Sequence, residues 1–175
     1  YEARGVRVWA VTVQNEPEFA ARWEACVMTP EEEARFLGVH LGPELRAAHP
    51  GLLVFVYDHN KDHVVRWADA VAADPEARRH MDGVAFHWYT GDGFEAVREV
   101  RRRHPGALLL PSEATYERYR WRAGATLESG EWSFGEGYAH DVIGDLNAGA
   151  AGWIDWNLLL DQDGGPNHAG NPCDS

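Results

Sequence analysis

Two glutamates, Glu16 and Glu113, each follow a short apolar stretch, in Val13-Gln14-Asn15-Glu16-Pro17 and Leu110-Pro111-Ser112-Glu113. Two carboxyls aimed into one cleft suit glycoside hydrolysis. One stays protonated and gives a proton to the leaving oxygen, while the other stays ionised and attacks or stabilises the anomeric carbon; their surroundings must push the two pKa values apart. Taken singly, each glutamate reads as a surface carboxylate at a strand end. Two on one face of a sheet shift the reading towards chemistry. Among the 8 tryptophans, Trp88, Trp121 and Trp156 lie at or after apolar runs, where flat rings would stack on the C–H faces of a sugar. Trp9, Trp67 and Trp153 read as core packing instead, and Trp23 and Trp132 fit either role.

The 9 histidines raise a different chemistry. His59 and His63 are spaced i,i+4, as in helical zinc sites, and His87 would be the third ligand of a metal-dependent hydrolase. The intervening Asn60-Lys61-Asp62 is not the zincin pattern, so no metal site is expected. Asp58 and His59 then read as loop or cap residues, and His87 as a group that orients a hydroxyl. Asp161-Gln162-Asp163-Gly164 lacks the later ligands and closing glutamate of a calcium loop and reads as a turn. Arg101, Arg102, Arg103 and His104 sit in the last turn of a helix, where the macrodipole favours cations, and need no anionic ligand. Cys26 and Cys173 are too few for a disulfide framework and lack a metal-site spacing.

The elements that carry these residues alternate regularly. Val6–Val13, Leu52–Tyr57, Gly83–Phe86, Ala107–Pro111 and Ala151–Trp156 are short β-rich runs. Each ends in a polar or aromatic group: Asn15-Glu16, Asp58, His87-Trp88-Tyr89, Glu113, and Asp155-Asn157. Between them lie helical patterns. Thr29-Pro30-Glu31-Glu32 is a capping box that opens a helix carrying Leu37, Leu41 and Leu45, with a break expected at Gly42-Pro43. Val64, Ala68, Val71 and Ala72 share one helical face, and Asp74-Pro75 starts a short helix. Asp92 with Glu95 caps a helix reaching Arg103, and Ser133 with Glu136 caps another that places Tyr138, Val142 and Leu146 on one face.

Strands alternating with helices call for an α/β fold with a parallel sheet. A doubly wound sheet predicts a glycine-rich phosphate turn after an early strand, and none is present. Polar groups at the C-terminal end of every strand are how TIM barrels, (β/α)8, build their sites. Five strands fall short of eight, so residues 1–175 read as a single, partial barrel domain. Composition agrees with a folded globular chain: 175 residues, 45% hydrophobic, 25% charged. The formal net charge of −12 disfavours nucleic acid and anionic membranes as partners. No run is long and apolar enough to span a bilayer. The N-terminus, which lacks Met, leaves the compartment unread.

Taken together, Thr12-Val13-Gln14-Asn15-Glu16-Pro17, Tyr57-Asp58-His59-Asn60, His87-Trp88-Tyr89, Ser112-Glu113-Ala114 and Gly152-Trp153-Ile154-Asp155-Trp156-Asn157 through Gly164-Gly165-Pro166-Asn167 resemble glycoside hydrolase family 30, the glucosylceramidase-like enzymes. The ordered set spans nearly the whole chain. The resemblance implies that Glu16, ending the fourth barrel strand, is the general acid/base and that Glu113, ending the seventh, is the nucleophile of a retaining double displacement. It implies further that Asn15 holds the sugar 2-hydroxyl, that Tyr89 hydrogen-bonds the nucleophile, that His87 and Trp156 line the glycone subsite, and that Asn171 reaches the same pocket. No cofactor or metal is implied, the substrate is a β-glycoside of a glycolipid or oligosaccharide, and the setting is secreted or extracytoplasmic. Three earlier strands and a β-sandwich of the family have no counterpart here, and Pro172 stands where an aromatic residue is expected. The chain therefore reads as the part of the barrel from about strand 4 to strand 8, expected to associate with a missing half and to be weak or inert alone. The competing reading is a glycan-binding fragment without turnover.

Overall fold

A computed structural model describes residues 1–22, 24–116 and 129–159. Four strands, β1 (Ala10–Thr12), β2 (Leu53–Asn60), β3 (Gly83–His87) and β4 (Leu108–Glu113), form one sheet in chain order. All three pairings are parallel. Helices return the chain each time: α1 (Pro30–Phe36) and α2 (Gly42–Ala48) after β1, α3 (Val64–Ala73) and α4 (Pro75–Arg78) after β2, and α5 (Phe94–Arg103) after β3. A sixth helix, α6 (Ser133–Ala148), follows β4. Strands in sequential order with helical crossovers are the staves of a TIM barrel, here in part.

The period of two along each strand sorts the core into two layers. Val54 and Val56 of β2, Val84 and Phe86 of β3 and Leu109 of β4 pack with Trp67, Val71, Val97 and Val100 of the helices. Phe55, Ala85 and Leu110 form a smaller cluster on the other face. Trp67 is fully buried, as expected of a core residue, whereas Trp9 is 48% exposed and leans edge-on against Phe55. Val6, Val8 and Trp9 are exposed apolar residues beside β1, whose one partner among the described residues is β2. An open flank of this kind is what a partial barrel presents.

Several local expectations hold and several are corrected. The capping box at Thr29 is formed, with Glu32 N donating to Thr29 Oγ1 at 3.2 Å and Thr29 N donating to Glu32 Oε2 at 2.8 Å. No break occurs at Gly42-Pro43. A π-helical turn, Leu37–Leu41, joins α1 to α2, and Gly42 N donates to Leu37 O, so the ladder is re-spaced just ahead of the proline that cannot donate. Asp74 caps α4 through the amides of Glu76 and Ala77. Asp92 does not cap α5; Gly93, at φ 53°, takes that position, and Asp92 pairs with His140. Ser133 forms no box with Glu136, and its amide donates to Glu131 instead.

The inward face of α6 is also corrected. It buries Asp141, Asp145 and Ala148, while Tyr138 and Val142 are half-buried and Leu146 is 48% exposed. The reason is Lys61, fully buried just after β2, whose Nζ lies 2.6 Å from Asp141 Oδ1 and 2.9 Å from Asp145 Oδ1. Residues 151–156 run beside β4 through Ala151 N to Leu109 O, Ile154 N to Pro111 O and Trp156 N to Ala114 O. The donors are unevenly spaced and Pro111 has no amide to return, so the expected fifth strand is not a regular ladder.

Candidate active site

The C-terminal ends of the four strands converge on His87. It ends β3 and is fully buried. Its Nδ1 lies 3.3 Å from Glu16 Oε1, its Nε2 lies 3.0 Å from Asp58 Oδ1, and the same nitrogen is 3.9 Å from Glu113 Oε2. Glu16 arrives from the loop after β1 in a left-handed backbone conformation, φ 47°, with its amide donating to the carbonyl of Asp58 at 2.9 Å. Glu113 arrives as the last residue of β4, and Tyr89 donates its hydroxyl to Oε1 at 3.0 Å. Tyr89 is itself fixed by its amide, which donates to Asn60 Oδ1 at 2.9 Å.

Asp58 lies beneath this group. Residues Tyr57 and Asp58 have φ of 77° and 58°, and the pairing of β2 with β3 slips between Tyr57 and His59. This bulge turns the Asp58 carboxylate into the site, where it accepts from Thr12 Oγ1 at 2.6 Å and from Ser112 Oγ at 2.5 Å as well as from His87. Left-handed backbone at a non-glycine residue costs about 1–2 kcal/mol, and such strain gathers where function needs a side chain re-aimed.

The charges follow from these contacts. Burial works against a charge on His87, but the hydrogen bonds and negative charges of Asp58 and Glu16, with Glu113 adding to them, raise its pKa to about 9. Burial likewise opposes ionisation of Asp58, yet His87, Ser112 and Thr12 hold its carboxyl below the ordinary range. Glu113 is pushed up by burial, while the positive His87 and the Tyr89 hydroxyl pull it back and Glu16 and Asp58 add to the rise. The centre is thus an imidazolium held between three carboxyl groups.

Glu16, His87 and Glu113 each offer one ligand atom within 4.8 Å of the others, the geometry of a possible cation site. Both ring nitrogens of His87 are already engaged by carboxylates, Nδ1 at 3.3 Å from Glu16 and Nε2 at 3.0 Å from Asp58, and these are the contacts of a charged hydrogen-bond network. His59 and His63 do not join His87 as ligands. His63 Nδ1 pairs with Glu18 Oε2 at 2.9 Å, and His59 stands between Glu16 and Glu18 at 3.9 and 3.8 Å.

Of the residues singled out by sequence, Glu16, Glu113, His87 and Tyr89 meet in one place. Asn15 is exposed beside Glu16. Trp156 is half-buried next to the end of β4, its amide bonded to Ala114 O. Trp88 is engaged by neighbouring rings, stacked on Tyr138 with centroids 5.0 Å apart and edge-on to Tyr116 and Trp153, rather than presenting a free face for a sugar. Asn171, Trp121 and Trp23 lie outside the described residues. Sequence reasoning missed Asp58, Thr12 and Ser112 as a buried polar cradle. Thr12 and Ser112 stand at or next to the last residues of β1 and β4, a signal for a shared polar layer; the bulge at Asp58 leaves no such mark.

The model of the glycosyl hydrolase family 30 TIM-barrel domain matches residues 1–175. Putative glucosylceramidase 3 of Caenorhabditis elegans is 39% identical over 183 residues, covering 100% of this chain and 34% of its own length. Lysosomal acid glucosylceramidase of Mus musculus is 35% identical over 182 residues, covering 100% of this chain and 35% of its own. Among solved structures, SrfJ from Salmonella typhimurium superposes with a TM-score of 0.86 at 38% identity, covering 100% of this chain and 38% of that one. The chain spans about a third of the length of these curated relatives.

Proposed function

The chain belongs to glycosyl hydrolase family 30, and on that premise we propose that it carries both reacting carboxylates of a retaining β-glycosidase, Glu113 as nucleophile and Glu16 as general acid/base. The observation that supports this reading is their spacing. One oxygen of each carboxyl lies within 4.8 Å of one from the other, an approach that suits the close pair of a retaining enzyme, about 5–5.5 Å between carboxyl groups, better than the roughly 6.5–9.5 Å of an inverting one.

In the first displacement, Glu113 attacks the anomeric carbon, the bond to the aglycone oxygen breaks, and Glu16 gives that oxygen its proton, leaving a glycosyl ester on Glu113. In the second, Glu16 takes a proton from water as the water oxygen attacks the anomeric carbon and the ester bond breaks, which restores both residues. Tyr89 keeps the attacking oxygen pair of Glu113 aimed, and the positive His87 beside it favours the ionised form of that nucleophile. Asn15 is assigned to the sugar 2-hydroxyl, and Trp156 and Asn171 to the glycone wall. The relatives named glucosylceramidases favour a β-glucoside with an apolar aglycone as substrate. Full turnover is assigned to the chain joined to the remaining barrel strands, since the exposed flank at Val6, Val8 and Trp9 is where further strands would add.

Incubation with a β-glucose-configured covalent inactivator, followed by intact mass and peptide mapping, tests the reading. A single adduct on Glu113, in this chain or in a complete barrel that contains it, is expected. A complete barrel that stays unlabelled, or is labelled elsewhere, overturns it.

A further inference from the structure

We infer that Glu33, on α1 behind the sheet, is a positioning residue for this site, acting through the strained turn of β2 that presents Asp58. Glu33 is fully buried and touches none of the reacting groups. Its Oε1 accepts the backbone amide of Tyr57 at 3.0 Å, and its Oε2 accepts the indole N–H of Trp67 on α3. The amide it captures belongs to the first of the two left-handed residues, Tyr57 and Asp58, where the β2–β3 register slips. A bulge leaves a ladder amide without its strand partner, and a buried amide without any acceptor costs about 1–3 kcal/mol. Glu33 supplies that acceptor from the helix layer, and Trp67 fixes the carboxylate in place.

The bulge matters because Asp58 serves both halves of the site. Its carbonyl takes the amide of Glu16, and its carboxylate takes Nε2 of His87. Neither contact survives if Asp58 relaxes to an ordinary strand conformation, since a shift of one residue turns its side chain to the opposite face of the sheet. Glu33 therefore determines, at one remove, where Glu16 starts and how firmly His87 is held. The inference rests on the assignment of Glu16, His87 and Glu113 to one site. Its test reads His87 and needs no turnover, so it is separable from the failure of the glycosidase reading.

The test is the titration of His87 followed by its ring nitrogens in NMR, in the parent chain, in Glu33→Gln and in Val71→Ala. Glutamine fills the same space but presents an NH2 to one of the two N–H donors. Facing His87 are Asp58 from β2, Glu16 and His59 from the loops after β1 and within β2, Glu113 from β4, and the ring of Tyr89. Glu33 makes contact with none of them and reaches Asp58 directly only through the repulsion between their charges, which Trp67→Phe leaves in place. The expected result is a His87 proton held about tenfold less tightly in Glu33→Gln than in the parent chain, and as tightly as in the parent in Val71→Ala, which opens the same core without touching the bulge. A folded Glu33→Gln chain with the parental midpoint, or an equal fall in Val71→Ala, overturns the proposal. If Glu33→Gln does not fold, Trp67→Phe, which removes the donor to Oε2, keeps the Glu33 charge and retains a ring against Tyr57, is read by the same criterion.

Discussion

Asp58 accepts Nε2 of His87 at 3.0 Å beneath the two glutamates, and this buried pair sets the charge at the centre of the site. Asp58→Asn keeps the shape but removes the charge and turns an NH2 towards one of three donors, Thr12, Ser112 or His87. A hydrogen bond to a charged group contributes about 1.5–3 kcal/mol, so glycosidase activity in a complete barrel is expected to fall about 10- to 100-fold. His87 is expected to lose its proton near neutral pH in the same variant. Parental turnover together with a His87 that still titrates near 9 would contradict this account.

The two glutamates separate by the leaving group. Glu113→Gln replaces the attacking carboxylate with a neutral amide, and no substrate is expected to rescue it. Glu16→Gln removes the proton donor, a loss of about 10²–10⁴ in rate for poor leaving groups, and far less for an activated aryl glycoside whose leaving group needs no proton. Steady-state rates on both substrate types decide the matter. Equal losses on both in Glu16→Gln would argue against its role as the acid.

Tyr89→Phe deletes the hydroxyl that Glu113 accepts at 3.0 Å. Burial already pushes Glu113 above the ordinary carboxylate range, and Tyr89 is one of the groups that pull it back. Without it the carboxyl titrates higher still. The acid limb of the pH–rate profile is expected to move to higher pH, with kcat reduced about tenfold at the optimum, in line with the loss of one charge-assisted hydrogen bond. An acid limb left in place would show that Tyr89 does not tune the nucleophile.

Folding stability should be greatest in mild acid. His87 is raised above its ordinary 6.5, so its contribution is complete below that pH and is lost as pH climbs through about 9. Glu33, raised by burial against the bonds from Tyr57 and Trp67, contributes fully below 4.5 and loses its contribution through about 7. Asp58, held low, contributes above its ordinary 3.8 and gives that up only in stronger acid. The His87 rise alone corresponds to about 3 kcal/mol as an upper figure. Thermal melts between pH 4.5 and 9.5 are therefore expected to show Tm highest near about pH 5 and falling towards alkali; a Tm that climbs between 6.5 and 9 would refute the linkage.

The meeting of Glu16, His87, Tyr89 and Glu113 was legible because strand periodicity fixes where a parallel strand ends, and barrel staves aim their C-terminal ends together. The parts that were not legible depend on long-range choices. A bulge at Tyr57-Asp58 has no glycine to announce it, because a glutamate twenty-four residues earlier holds the amide that the bulge releases. The capping boxes expected at Asp92 and Ser133 satisfied the spacing rule, but His140 and Glu131 offered better partners. The innermost positions of α6 were hidden for a similar reason. Tyr138 and Val142 of the apolar stripe are half-buried, but Leu146 is exposed, because a buried lysine after β2 draws Asp141 and Asp145 to the innermost positions.

That lysine gives the most direct test of what holds α6 to the sheet. Lys61 lies between Asp141 and Asp145, with its ammonium 4.7 Å from the centre of the Phe94 ring. Asp141 also accepts the indole N–H of Trp153 at 3.1 Å, whereas neither oxygen of Asp145 has an aligned hydrogen bond. Lys61→Met keeps the stem volume and the contact with Phe94, but leaves two buried carboxyls without their cation. Removing one partner of a buried ion pair costs about 3–5 kcal/mol, much of it the penalty of the stranded charge. Chemical denaturation of Lys61→Met should show a loss of that order. The argument requires a second result: combining it with Asp145→Leu and Asp141→Asn, which removes both stranded charges and keeps an acceptor for Trp153, should recover more than half of the loss. A triple variant no more stable than Lys61→Met would mean that the ammonium anchors α6 by its attraction alone, and that the cost lies in the lost bond rather than in the orphaned carboxylates.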